Sequence, residues 1–171
     1  TETRSETLPD FRANLMIQNS HGGFSSYQAE YPFRMTQKLS SFISDCGLLT
    51  ADTCEEVGVF IRNIFQDPLE GEVKLYLYDE ADNRVVSVFN VCINKISYID
   101  LTEFKQYLSS CTLFANKFIG VPIYVLKHKD GNLSFEHTHP PHESVGGGDR
   151  FRLVNKLKGS VNEKINKICL Q

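Results

Sequence analysis

Tryptophan does not occur in the 171 residues, and methionine occurs only twice. With 12 Phe and 7 Tyr carrying the aromatic content, the core is expected to be filled largely by phenylalanine. No apolar run approaches the roughly 20 residues that a helical membrane span requires; the longest are strand-sized, so no transmembrane segment is expected. Neither sign of charge dominates, since 18 Lys and Arg against 21 Asp and Glu leave a net charge of −3. Without a global basic field, nucleic acid is not favoured as a partner. The five cysteines, at 46, 54, 92, 111 and 169, contain no CxxC pair and no metal-ligand spacing. An odd count in a domain of this size argues against a disulfide framework and for reduced thiols. Cys46 and Cys54 flank a loop small enough to be closed in an oxidising compartment. A GxSxG elbow is missing, which removes the local signature of a serine hydrolase. No internal repeat is present, and no low-complexity segment beyond Gly146–Gly148.

What is present is the composition of an ordinary globular protein, 41% apolar and 23% charged, in a length that suits one domain with a real core. The polar opening "TETRSETLPD" reads as a flexible tail over residues 1–10, and residues 11–171 as a single α+β domain. The expected compartment is the cytoplasm; the start without Met leaves a secreted form after signal-peptide removal as the alternative.

Strand patterns recur along the domain. "FRANLMIQNS" reads as a first strand, "KLSSFIS" as another, and the β-branched alternation of Val57, Val59 and Ile61 favours strand over helix in "VGVFIRNIF". In "GEVKLYLYDEADNRVVSVFNVCI", Val73, Leu75 and Leu77 share one face while Glu72, Lys74, Tyr76 and Tyr78 share the other. "DEADNR" supplies the turn, so the stretch is a hairpin with one wet face. "DLTEFKQYLSS" predicts a short helix near 101–109, opened by Asp100 or Thr102. At the C-terminus, Phe151, Val154, Leu157, Val161, Ile165 and Ile168 make one apolar stripe, which predicts an amphipathic helix. Its surface is basic, with six Lys and Arg against two Asp and Glu over residues 149–171. The fold class that follows is α+β: a mostly antiparallel, sandwich-like sheet with these two helices packed on it.

The densest chemistry lies in "SFEHTHPPHE". The preceding Asp130-Gly131 is a two-residue turn signal, and read that way it sets Leu126 opposite Phe135, Tyr124 opposite His137 and Pro122 opposite His139. One face then carries Tyr124, Leu126, His128, Leu133, Phe135, His137 and His139; Glu136 points to the other. Two imidazoles on one face, with His142 and Glu143 returning past Pro140-Pro141, form a candidate donor set for a divalent transition metal such as Zn, Fe, Mn or Ni. The competing reading is a strand that ends at Pro-Pro with its histidines in water.

"GNLSFEHTHPPHE" resembles the first cupin motif in its spacing from Gly131 to Glu143. Only 28 residues follow Glu143, however, and they hold no second motif with a third histidine. Fragments similar to the metal motif of JAB-type isopeptidases and to the histidine-triad hydrolases likewise fail on spacing. The Gly-, Ser- and Tyr-rich stretch "NSHGGFSSYQAEYP" is a second candidate, as an adaptable binding loop. His21, Tyr27, Gln28 and Tyr124 are its expected ligand-binding residues. Two functions follow. The preferred one is a non-catalytic binding domain whose strand-end surface is formed by the loops around His21 and His137–Glu143, with a protein or small molecule as partner. The alternative is a metal-dependent hydrolase or oxygenase centred on His137 and His139.

Overall fold

Period-two alternation dominates the architecture. The computed structural model describes residues 14–20, 22, 24–28, 42–46, 53–62, 71–93, 95–117, 119–136, 159, 163–164 and 166–168. The described strands are β1 (Asn14–Gln18), β2 (Phe24–Gln28), β3 (Phe42–Asp45), β4 (Cys54–Arg62) and β5 (Gly71–Asp79), then β6 (Arg84–Ile93), β7 (Ser97–Asp100), β8 (Cys111–Ala115), β9 (Val121–His128) and β10 (Leu133–Glu136). Every pairing among them is antiparallel. They make one sheet in the order β10-β9-β4-β7, a second in the order β3-β8-β5-β6, and a separate β1-β2 ribbon. The sheet-rich, mostly antiparallel fold expected from the pattern is therefore observed.

The two four-stranded sheets share one core. Val57, Val59 and Ile61 of β4, Ile99 of β7, and Tyr124 and Leu126 of β9 meet Phe42, Val73, Leu75, Leu77, Val91, Ile93 and Leu113 of the opposite sheet. Full burial of each such aliphatic side chain contributes roughly 1.5–3 kcal/mol. Among the described residues this core is aliphatic more than aromatic, whereas the composition leads one to expect a phenylalanine-filled interior. Phe60 lies on the outer face, stacked on Tyr98 with ring centroids 4.8 Å apart. There the Tyr98 ring crosses Gly58, where a Cβ would run into it, so the glycine gives the ring its seat.

The predicted helix forms, as a 3-10 helix over Thr102–Ser110. Leu101 is its N-cap, and the preceding Asp100 carboxylate accepts from the Thr102 N–H at 2.9 Å. Leu101 and Leu108 are buried in the core, and Phe104 packs edge-on to Phe89. Nine residues is long for this geometry; the element is tied to β4, where the Thr102 hydroxyl accepts from the Val57 N–H at 3.1 Å.

Two expectations are corrected. The β5–β6 hairpin forms, but its second face is not wet throughout: Glu72, Lys74, Val88 and Asn90 are exposed, while Tyr76 and Tyr78 are buried. These tyrosines pack with Phe114, Val85 and Ile168. Residues 159, 163–164 and 166–168 are helical, Lys164 reaches Glu80 at 2.7 Å, and Ile168 is the one residue of the predicted stripe among the described residues that packs on this cluster. The rest of the predicted C-terminal helix lies outside the described residues, as does the tail over 1–10.

The β9–β10 register is also shifted by one residue. Leu126 stands opposite Ser134, Val125 opposite Phe135 and Tyr124 opposite Glu136. The loop has three residues, Lys129, Asp130 and Gly131. The Gly131 N–H donates to the His128 carbonyl at 2.9 Å, and Gly131 has φ +84°. That is a type I turn closed by a left-handed glycine. A shift of one exchanges the faces of the strand: positions 134 and 136, not 133 and 135, share the side of Tyr124 and Leu126.

Candidate functional site

A bulge at the start of β4 gathers a cluster of polar side chains. Alternation counted back from inward Val57 would place Cys54 on the outer face. Instead Cys54 pairs with His128 and Glu56 with Lys127, leaving Glu55 as the extra residue. Such a bulge re-aims the side chains before it. Glu55 and Glu56 both turn outward onto the Lys127 ammonium, at 3.1 and 2.7 Å, and Cys54 turns inward to 1% exposure. Lys105 of the 3-10 helix holds the kink by donating to the carbonyls of Cys54 and Glu55 at 3.1 and 2.8 Å. The exposed ion pairs contribute little; the ties to the backbone fix the shape.

Inward Cys54 meets His128. The thiol sulfur is 3.8 Å from His128 Nδ1, and the Thr53 hydroxyl is 3.5 Å from the same nitrogen. On the far side of the ring, Nε2 lies 2.8 Å from the Ser134 hydroxyl. The corrected hairpin register makes this contact, since it brings Ser134 to the face of Leu126 and His128. Asp130 sits in the adjoining turn. The Asn132 N–H, 3.0 Å from Oδ1, holds its carboxyl below the usual carboxylate range, with the nearby His128 ring as a lesser contributor.

The β1–β2 ribbon lies against β10. Outward N–H groups of β10 face away from β9, and that of Phe135 donates to the Ser25 hydroxyl of β2 at 3.1 Å. Asn19, just after β1, donates to the Gly131 carbonyl at 2.7 Å and to Asn132 Oδ1 at 3.3 Å. The chain just past β1 is thereby tied to the turn before β10 at Asn19. Residues 137–143 follow the other end of that strand.

Of the residues expected to act, His21, His137, His139, His142 and Glu143 lie outside the described residues. Tyr27 and Gln28 belong to β2, opposite Leu15 and Asn14. Tyr124 is 1% exposed and sits between the two sheets, its hydroxyl 2.7 Å from that of Ser44 and 3.7 Å from the Cys46 sulfur. Among the described residues, no group of three or more His, Cys, Asp or Glu side chains converges on a metal-sized space, and no helix is long and apolar enough to cross a membrane. The Thr53, Cys54, His128 and Ser134 cluster is absent from the sequence-based candidates. Its signal was the three-residue reading of the turn, which places Ser134 beside His128. Comparison with protein-family models, curated proteins and solved structures finds no match to this chain.

Proposed function

We propose that the chain is a non-catalytic binding domain that presents a surface along the β10 edge to a protein partner, using the loops around His21 and His137–Glu143. The observation that carries this reading is the attachment of the β1–β2 ribbon to β10 through side chains rather than a backbone ladder. An isolated two-stranded ribbon is marginal in water, so one laid beside an edge strand by a few polar contacts can adjust to what it meets. Met16 of β1 is 66% exposed, and Ser20, Gly22 and Ser26 are exposed around it. Asn19, two residues before His21, is tied to the start of β10, and residues 137–143 follow its end in the sequence. Four strand residues separate the two, a span of about 13 Å, which suits a protein partner better than a small molecule.

The test is affinity capture with the full chain, compared with a His21→Ala/Tyr27→Ala variant and a His137→Ala/His139→Ala variant. Hydrogen exchange then maps the complex. The expected result is a partner lost with either variant, with protection gathered on β1, β2 and β10. Capture indifferent to both variants, or protection on the opposite sheet, rejects the reading.

A further inference from the structure

We infer that Cys46 and Cys111 form a disulfide between β3 and β8 when the chain folds in the presence of a low-molecular-weight disulfide. None of the residues of the binding surface proposed above takes part, and the two readings fail separately. The β3–β8 register runs to Asp45 opposite Thr112. The Cys46 N–H then donates to the Cys111 carbonyl at 2.9 Å, so the ladder continues one step and sets the two cysteines directly opposite each other. Opposed residues project to the same face of a sheet. Here that is the core face, since Cys46 and Cys111 are 0% and 1% exposed and belong to one buried cluster.

Opposed residues that share a backbone hydrogen bond have Cα atoms about 5.5 Å apart, inside the disulfide range of roughly 4.4–6.8 Å. Their Cβ atoms, about 4.5–5.5 Å apart, have to close to about 3.8 Å. The end of a ladder allows this: Cys46 is the residue after β3, Cys111 opens β8, and its N–H turns back to the Leu108 carbonyl of the 3-10 helix. Cys54, which the sequence pairs with Cys46 across a short loop, instead lies on the opposite sheet with its sulfur 3.8 Å from His128 Nδ1. The step is thiol–disulfide exchange. One cysteine, as thiolate, opens the reagent's S–S bond, and the other displaces the half that remains attached. A protein S–S bond forms, and the two thiol protons end on two reagent thiols. In the folded chain burial pushes the thiols up to about 12 and about 11, which withholds the thiolate. Exchange therefore precedes closure of the sheet, and the closed sheet then shields the bond.

The test is refolding of the full-length chain from urea in a buffer of oxidised and reduced glutathione, followed by peptide mapping without reductant. Refolding gives the reagent access to both thiols, so burial does not decide the outcome. The expected product is the folded protein with one intramolecular bond, Cys46–Cys111. Its urea midpoint lies above that of protein refolded in reductant, because the bond closes the long loop that spans β4 to β7. The Cys92→Ser/Cys169→Ser variant forms the same bond and keeps the gain. Cys111→Ser loses both; because this position is buried and serine there is liable to prevent folding, the map of the wild-type chain carries the test without it. A folded product that stays fully reduced, a Cys46–Cys54 bond in its place, or a Cys46–Cys111 bond that lowers the urea midpoint overturns the inference.

Discussion

Tyr124 illustrates what one hydroxyl does when it is sealed between two sheets. Its ring lies in the core shared by the two sheets, and its oxygen meets Ser44 from the opposite sheet at 2.7 Å. Burial pushes this phenol well above its ordinary range, and desolvation likewise raises the adjacent Cys46 thiol to about 12. All three groups therefore stay neutral at physiological pH and act as hydrogen-bonding partners, not as reagents. Tyr124→Phe removes the hydroxyl that bridges to Ser44 across the sheets, at an expected cost of about 1 kcal/mol. Adding Ser44→Ala to Tyr124→Phe is expected to cost less than the sum of the single changes, because both polar partners are then gone. Urea unfolding of the two singles and the double measures this; additive costs would show that the hydroxyl pair is not coupled across the sheets.

Among the elements, the β9–β10 hairpin decides most with least chain. Gly131 at φ +84° permits the three-residue turn, and the turn sets which β10 residues face inward. Gly131→Ala places a Cβ in the left-handed region and is expected to destabilise the domain by about 1–2 kcal/mol; Gly131→Asn, which tolerates that region better, is expected to cost less. Urea midpoints rank the three, and an alanine variant as stable as the wild type would contradict the turn assignment. The same glycine explains why the sequence was legible in one hairpin and misread in the other. In β5, alternation over nine residues fixes Val73, Leu75 and Leu77 on the core side whatever the turn does. In β10 only four residues pair, so the register rests on the loop, and Asp-Gly serves two-residue and three-residue turns alike. The short β7 and β8, each next to a longer neighbour in its sheet, carried too little pattern to be read. The Cys54–His128 contact was hidden for a related reason: it depends on the unpaired residue at Glu55, and a bulge leaves no mark on alternation that composition can reveal. By contrast the polar run at His137–Glu143 was conspicuous because residue identity alone makes it so.

Across the whole molecule, titratable groups buried or bonded by the fold bound its pH range on both sides. On the acid side, Asp79 at the β5–β6 turn accepts from the Ser110 hydroxyl at 2.7 Å, and this bond first of all holds its carboxyl below the ordinary range, with the Ala81 N–H and the Arg84 guanidinium adding to it. Asp100 is lowered by the Thr102 hydroxyl and N–H, and Asp130 by the Asn132 N–H. A carboxyl whose folded pKa is depressed adds stability above its unfolded pKa, about 3.9 for Asp, and loses it as the pH falls through the folded value. On the alkaline side the shift has the opposite direction and the groups are thiols. Cys46 is raised to about 12 and Cys111 to about 11, burial leading in both. A raised acid contributes fully below its unfolded pKa, about 8.5 for a thiol, and loses that contribution as the pH climbs through the folded value. Stability is therefore expected to be flat from about pH 5 to 8, to fall below about pH 4, and to fall again above about pH 9. Urea unfolding across that range tests it. Asp79→Asn should make the acid limb shallower, with Asp100 and Asp130 still contributing, whereas Cys46→Ala should make the alkaline limb shallower, with Cys111 still contributing. A Cys46→Ala profile that still falls above pH 9 with the wild-type slope would mean that the buried thiol is not what the fold protects from ionisation.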